Sequence, residues 1–284
     1  MPMAQSRTTE ARRTRSPKGL FSVPSVSSGF VLAILFVCGS AYAADPPPLA
    51  RARMLYNSMD YDGAIAAAAT ARLQPTTADA AALVEARARL ERYRHASDLM
   101  DLAAARDALN AIRASTLSPR DQVDFLIGVG QSLFLTDAFG PAAELFDTAL
   151  ERSAALPERD RLTLLDWWAT ALDREAEGSS PERRERLAGQ IAVRMQAELR
   201  RDPGSAPANY WLAVAARAAG DLETAWDAAV AAWIRATLGP SSIELRTDID
   251  HLMTDALIPE RARLRRESPD LLRSQWNQVK DQWK

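Results

Sequence analysis

The groups best suited to chemistry are few. Histidine occurs twice, at His95 and His251. His95 sits in an arginine-rich stretch and reads as a solvated residue. Asp248, Asp250 and His251 are ligand-type side chains, but residues one and two apart on a helix do not share a face. The three therefore do not converge on one ion. Arg261, Arg263, Arg265 and Arg266 form the densest basic cluster, with Glu260, Glu267 and Asp270 interleaved and flanking. That pattern describes a solvated, ion-paired face. No glycine-rich phosphate loop, serine elbow or His-Glu-x-x-His run occurs. Carboxylates are plentiful, yet on arginine-rich helices they pair at i,i+4, and no two stand out as acid and base. No catalytic residue, metal or cofactor is expected.

The aromatic residues are more informative. Trp167, Trp168, Tyr210, Trp211, Trp226 and Trp233 are concentrated in the C-terminal half. Most should fill core. Adjacent helical residues point about 100° apart, so one interface does not easily bury both Trp167 and Trp168, or both Tyr210 and Trp211. One member of each pair is a candidate for lining a binding surface, and Trp168 and Tyr210 are the choices.

The chain opens with an address. Arg7, Arg12, Arg13, Arg15 and Lys18 precede an apolar run from Phe30 to Cys38, and Ala41-Tyr42-Ala43 follows. These are the three parts of a secretory signal peptide over residues 1–43. The apolar run is short against the roughly 20 residues of a membrane-spanning helix, so no membrane insertion is expected after cleavage. Three alternatives stay open. An uncleaved anchor is one, and Arg12-Arg13 as a twin-arginine start is another. Leu35-Phe36-Val37-Cys38 resembles a lipobox, although Val37 is larger than the small residue required there. Cys38 is the only cysteine, so a chain starting at Ala44 has no disulfide and must be held by its core. That chain has 241 residues, 30 basic and 36 acidic, for a net charge of −6. Such a balance is ill suited to nucleic acid or an anionic membrane surface. The location implied is the periplasm.

A proline-rich linker over 44–48 leads into the body. No segment there has the period-two alternation of a strand. Apolar residues recur at three and four with Ala, Leu, Arg and Glu dominant, which predicts helices throughout. The expected helices are 49–59 and 61–73, then 76–95 from a Thr76/Asp79 capping box, then one from Asp101 past Ile112. Ser118-Pro119-Arg120-Asp121 supplies an N-cap, a first-turn proline and a first-turn acid. Further helices are expected over 160–176 and 182–201. The remaining 240–284 should form capping helices, one starting at Ser241 and stopped by Pro259. A last one should begin at Ser268, with Leu272, Trp276, Val279 and Trp283 on one stripe.

The run Leu126-x-x-Val129-Gly130-x-x-Leu133, followed by Ala142-x-x-x-Phe146-x-x-Ala149, resembles the tetratricopeptide repeat. Tyr61-Asp62-Gly63-Ala64-Ile65 is similar to the start of that family's second helix. Asn209-x-x-Leu212-Ala213, with Ala225, Ala229 and Ala232, is similar to a further unit. The equivalent alanines fall at 64, 105, 142 and 225, spaced for about five helix pairs over 49–239. The resemblance implies an all-α, right-handed superhelical solenoid of antiparallel pairs. It also implies a concave groove lined by first-helix positions: Asp124, Ile127, Gln131, Phe134 and Leu135 in the third pair, and Pro207, Tyr210, Val214, Arg217 and Ala218 in the fifth. The implied function is a non-catalytic scaffold that holds a protein or peptide segment during envelope assembly or transport. The alternative is a small-molecule-binding accessory of a solute uptake system.

Overall fold

A computed structural model describes residues 45–238 and 243–283. The leader over 1–43, Cys38 and the Ser241 start signal lie outside the described residues. Among these the chain is helical, and its first ten helices form five consecutive pairs. They are α1 (Pro48–Asn57) with α2 (Tyr61–Ala71), α3 (Ala78–Ala96) with α4 (Leu99–Ala111), and α5 (Pro119–Phe134) with α6 (Phe139–Glu151). Next come α7 (Glu158–Glu177) with α8 (Pro181–Arg201), and α9 (Ala206–Ala218) with α10 (Leu222–Leu238). Each helix packs on the next, and α1, α3 and α5 also touch one another in turn, as α7 touches α9. Odd helices form one layer and even helices the other, as in a helical solenoid. The C-terminal segment adds α11 (Ile243–His251), α12 (Ile258–Arg265) and α13 (Pro269–Gln282).

The starts of these helices follow from local chemistry. Ser118, Ser180, Ser205 and Ser268 each accept a hydrogen bond from a first-turn N–H, with proline in that turn. Each cap satisfies a donor that the helix cannot satisfy itself. Asp60 caps α2 by accepting from Gly63 N. A Cβ on Gly63 would lie 2.4 Å from that carboxylate, so the glycine makes room for the cap. Short 3₁₀ turns at Ala114–Thr116 and Ser153–Ala155 follow α4 and α6 in the same relative place. Together with long helices such as α8, of 21 residues, they stretch the repeat.

Packing rests on small residues. Ala64, Ala105, Ala142 and Ala225, the alanines spaced through the sequence, all have 0% exposure. At the α5–α6 approach a Cβ on Gly130 would come within 2.5 Å of the Phe146 ring. Phe146 is fully buried beside Leu165, Trp168 and Trp211, which contributes about 2–3 kcal/mol for a ring of that size. A second cluster joins α9 and α10 to the cap through Ile249, Met253, Leu257, Leu272 and Trp276.

Three local expectations differ. Pro48 opens α1 rather than ending the linker. Thr77, not Thr76, precedes α3, and its hydroxyl donates to the Ala71 and Gln74 carbonyls instead of capping. Asp79 is drawn to the next connector, where it accepts from the Thr116 hydroxyl and pairs with Arg113. Pro259 does not stop its helix. A π-helical segment, Leu252–Leu257, carries the chain into α12, with Ile258 N–H bonded to the Met253 carbonyl. A wider turn of this kind accommodates a proline, which has no N–H of its own to place.

Candidate functional site

The odd helices α1, α3, α5 and α7 line one cleft of about 750 Å³. Its walls are polar and ion-paired. Arg53 from α1 binds both oxygens of Asp121 at 2.7 and 2.9 Å. Arg87 from α3 pairs with Asp124 at 2.8 Å, and Arg120 reaches Asp124 and Asp160 at 3.3 Å each. Glu91 accepts from Arg94 at 2.7 Å and from Gln131 Nε2 at 3.4 Å. Two of these guanidinium groups also lie over aromatic faces: Arg87 is 4.9 Å from the Tyr56 ring centre and Arg94 4.9 Å from that of Trp167. Both contacts are cation–π geometry.

Burial alone would lower the Arg87 pKa, but the surrounding Tyr56, Asp124, Glu91 and Asp160 hold it above its usual range. The cation is fixed. Burial raises the Tyr56 phenol, with Arg87 opposing. Two buried polar atoms of the cleft have no hydrogen-bond partner, Arg87 Nε and Gln131 Oε1.

Of the residues singled out in the sequence, Asp124, Ile127 and Gln131 line this cleft. Phe134 does not; its ring packs edge-on against Trp167 at 4.9 Å. Trp167, not Trp168, is the member of its pair that faces the cleft. Trp168 is 5% exposed, in the core. Its edge borders a separate cavity of about 510 Å³ against α6 and α8, with Arg194 over the ring. The fifth-pair candidates lie elsewhere on the odd layer. Tyr210 packs edge-on against Trp211 at 5.3 Å. Loss of water, then Asp248, Asp173 and Asp166, push its phenol up to about 12. Val214 is half-buried. Arg217 is engaged by Glu260 of α12 through Nε and Nη2.

Five of the remaining candidates for chemistry, His95, Asp250, His251, Arg261 and Arg265, have structural partners. His251 bonds Asp255 at 2.9 Å, and Asp250 accepts from Trp276 Nε1 and Lys280 at 2.7 and 2.8 Å. His95 stacks near Tyr61. Arg261 pairs with Glu267 and Arg265 with Glu223. Among the described residues no three His, Cys, Asp or Glu side chains gather to hold a metal, and no helix is long and apolar enough to cross a membrane.

Neither the protein-family models nor the curated proteins compared with this chain match it. The site must be read from its own chemistry. The cleft is lined by ion-paired charges and by three aromatic side chains, Tyr56, Tyr61 and Trp167. Sequence reasoning missed Arg87, Arg94 and Trp167. Arg87 and Arg94 had a signal: the 37-residue interval between Ala105 and Ala142, subtracted from Asp124 and Gln131, lands on them. Trp167 had only its adjacency to Trp168, which does not say which of the two faces outward.

Proposed function

We propose that this chain is a non-catalytic scaffold of the tetratricopeptide type, wound as a right-handed superhelix, that holds a protein or peptide segment along its odd-helix groove. Its place of work is the periplasm, reached through the cleaved leader over 1–43, and its role lies in envelope assembly or transport. The observation that carries this reading is the cleft over α1, α3, α5 and α7, whose lining of ion-paired charges and of Tyr56, Tyr61 and Trp167 is shared among successive helices of one layer. Support also comes from the continuity of the odd layer, which suits an extended ligand better than an enclosed pocket would.

The alternative, a small-molecule accessory of solute uptake, draws on the same cleft's volume, which falls within the range of small-ligand sites. Native mass spectrometry of the protein captured gently from its own envelope separates the two. A co-purifying polypeptide is the expected result. A retained mass of a few hundred daltons would instead favour the small ligand. The same spectrum reads the N-terminus, where Ala44 is expected and a lipid-sized increment on Cys38 would mean tethering. Amine cross-linkers are poorly suited, since after Ala43 the chain offers only its α-amine, Lys280 and Lys284.

A further inference from the structure

The cavity of about 510 Å³ lies between α6 and α8, which flank α7 in the even layer. Its walls follow from helical periodicity. Gly140, Ala143, Glu144 and Asp147 stand at i, i+3, i+4 and i+7 on one face of α6. Arg183, Arg186, Leu187 and Gln190 repeat that spacing on α8, and Trp168 and Leu172 of α7 form the floor.

Two ion pairs tie the walls together at the ends. At one end Arg183 of α8 bonds Glu175 of α7 at 2.6 Å, and the other oxygen of that carboxylate accepts from Gly140 N of α6 at 3.0 Å. At the other end Arg194 of α8 pairs with Asp147 of α6 and lies over the Trp168 ring. Between these rungs stands a third set of side chains that does not close. Glu144, Arg186 and Gln190 are exposed. Among the described residues their side chains make no ion pair or hydrogen bond. Arg186 acts on Glu182, one turn earlier on its own helix, through space alone.

Charge and floor together choose the ligand. Counting Arg194, three guanidinium groups and three carboxylates surround the cavity, so it favours neither an anion nor a cation. An uncharged ligand would cover Glu144 and Arg186 without giving either a counter-charge, which is costly. A molecule neutral overall that carries both signs meets both. Leu172, Leu187 and Ala143 make the floor aliphatic, while the Trp168 ring already lies under Arg194 and offers a sugar no open face. The volume is that of a small-ligand site.

We infer that this cavity binds a zwitterionic amino acid with an aliphatic side chain. Its ammonium bonds Glu144, its carboxylate meets Arg186 and Gln190, and its side chain rests on Leu172 and Leu187. The site is separate from the odd-helix cleft and does not depend on the reading given to that cleft.

Isothermal titration of the full chain tests this with four probes. They are L-leucine, N-acetyl-L-leucine, which lacks the cation, L-leucine methyl ester, which lacks the anion, and glycine, which lacks the side chain. Leucine should bind saturably at millimolar concentration or below. Each of the other three should bind about tenfold more weakly, the worth of one charge-assisted contact or one covered aliphatic group. Glu144→Gln should weaken leucine about tenfold without weakening N-acetyl-L-leucine. Arg186→Gln should do the same to leucine without weakening the methyl ester. Both side chains are exposed, and circular dichroism checks that the fold is kept. Arg159→Gln, in the odd-helix cleft, should leave leucine binding unchanged.

No saturable leucine binding at millimolar concentration would overturn the inference, as would equal binding of the acetylated or esterified analogue. Leucine binding that survives both Glu144→Gln and Arg186→Gln, or that falls with Arg159→Gln, would place the ligand elsewhere and overturn it too. None of these outcomes touches the groove reading, which has its own test in the native spectrum.

Discussion

A methyl group on Gly130 would lie 2.5 Å from the Phe146 ring, whereas one on Gly189 would meet nothing within 4 Å. Gly130→Ala should therefore destabilise the chain by about 1–3 kcal/mol through overpacking. Gly189→Ala, in the middle of α8, should stabilise it by about 0.5–1 kcal/mol. Urea unfolding of the two variants checks both signs. Arg161 makes a second residue-scale test. It is 8% exposed and bonds both oxygens of Glu198, joining α7 to α8. Glu198→Ala leaves a largely buried cation with Glu158, 3.4 Å from Nε, as its carboxylate partner and should cost about 2 kcal/mol. A Glu198→Ala variant as stable as the parent would mean that water reaches Arg161 freely.

Among the elements, the junction of α7, α9 and α11 gathers the carboxyls that burial raises. Desolvation raises the carboxyls of Asp166, Asp173 and Asp248. At Asp166 the Trp211 indole N–H, 2.8 Å away, opposes the rise. A carboxyl raised in the folded state favours folding as it takes up its proton, so these three add stability as pH falls from neutral towards about 4. Asp250 has the opposite sign. Burial would raise it, but the bonds from Lys280 and Trp276 outweigh this and hold it low. Its contribution is present above the unfolded carboxylate pKa and is lost as pH falls through the folded value. The melting temperature should thus rise on mild acidification and fall once Asp250 and the other carboxyls held low, Asp79 and Glu158 among them, protonate. Asp173→Asn should raise the melting temperature near pH 7 and leave it unchanged near pH 4. Calorimetry across that range reads both arms, and a flat profile for the parent would contradict the assignment.

At the scale of the whole molecule, the last pair depends on the cap. Leu272 and Trp276 of α13 are 1% exposed and sit against Met253, Leu257 and Trp233, while Glu260 holds Arg217. A chain ending at Arg266 should lose cooperativity in the C-terminal half and bind a hydrophobic dye. The α5–α6 core, held by its own cluster around Phe146, should melt separately and later. A single unchanged transition would show that the cap is dispensable.

Periodicity and composition determined that the chain is helical and where most helices begin. Ser118 and Ser268 fixed two starts because a cap is a contact within four residues. The spacing of Ala64, Ala105, Ala142 and Ala225 marked the close approaches, since only small residues let helix backbones come together. Asp124, Ile127 and Gln131 were expected in a groove from the resemblance to the tetratricopeptide repeat, and they line the cleft. Other outcomes depended on residues far apart in sequence. Asp79 left its expected cap for Thr116, and Trp167 turned to the cleft while Trp168 entered the core. Arg217 was taken by Glu260, and Pro259 passed through a π segment. In each case the competing partner lies on another element, and its distance is set by packing. A side chain's partner across 40 residues is decided by how helices stack, which tertiary structure alone supplies.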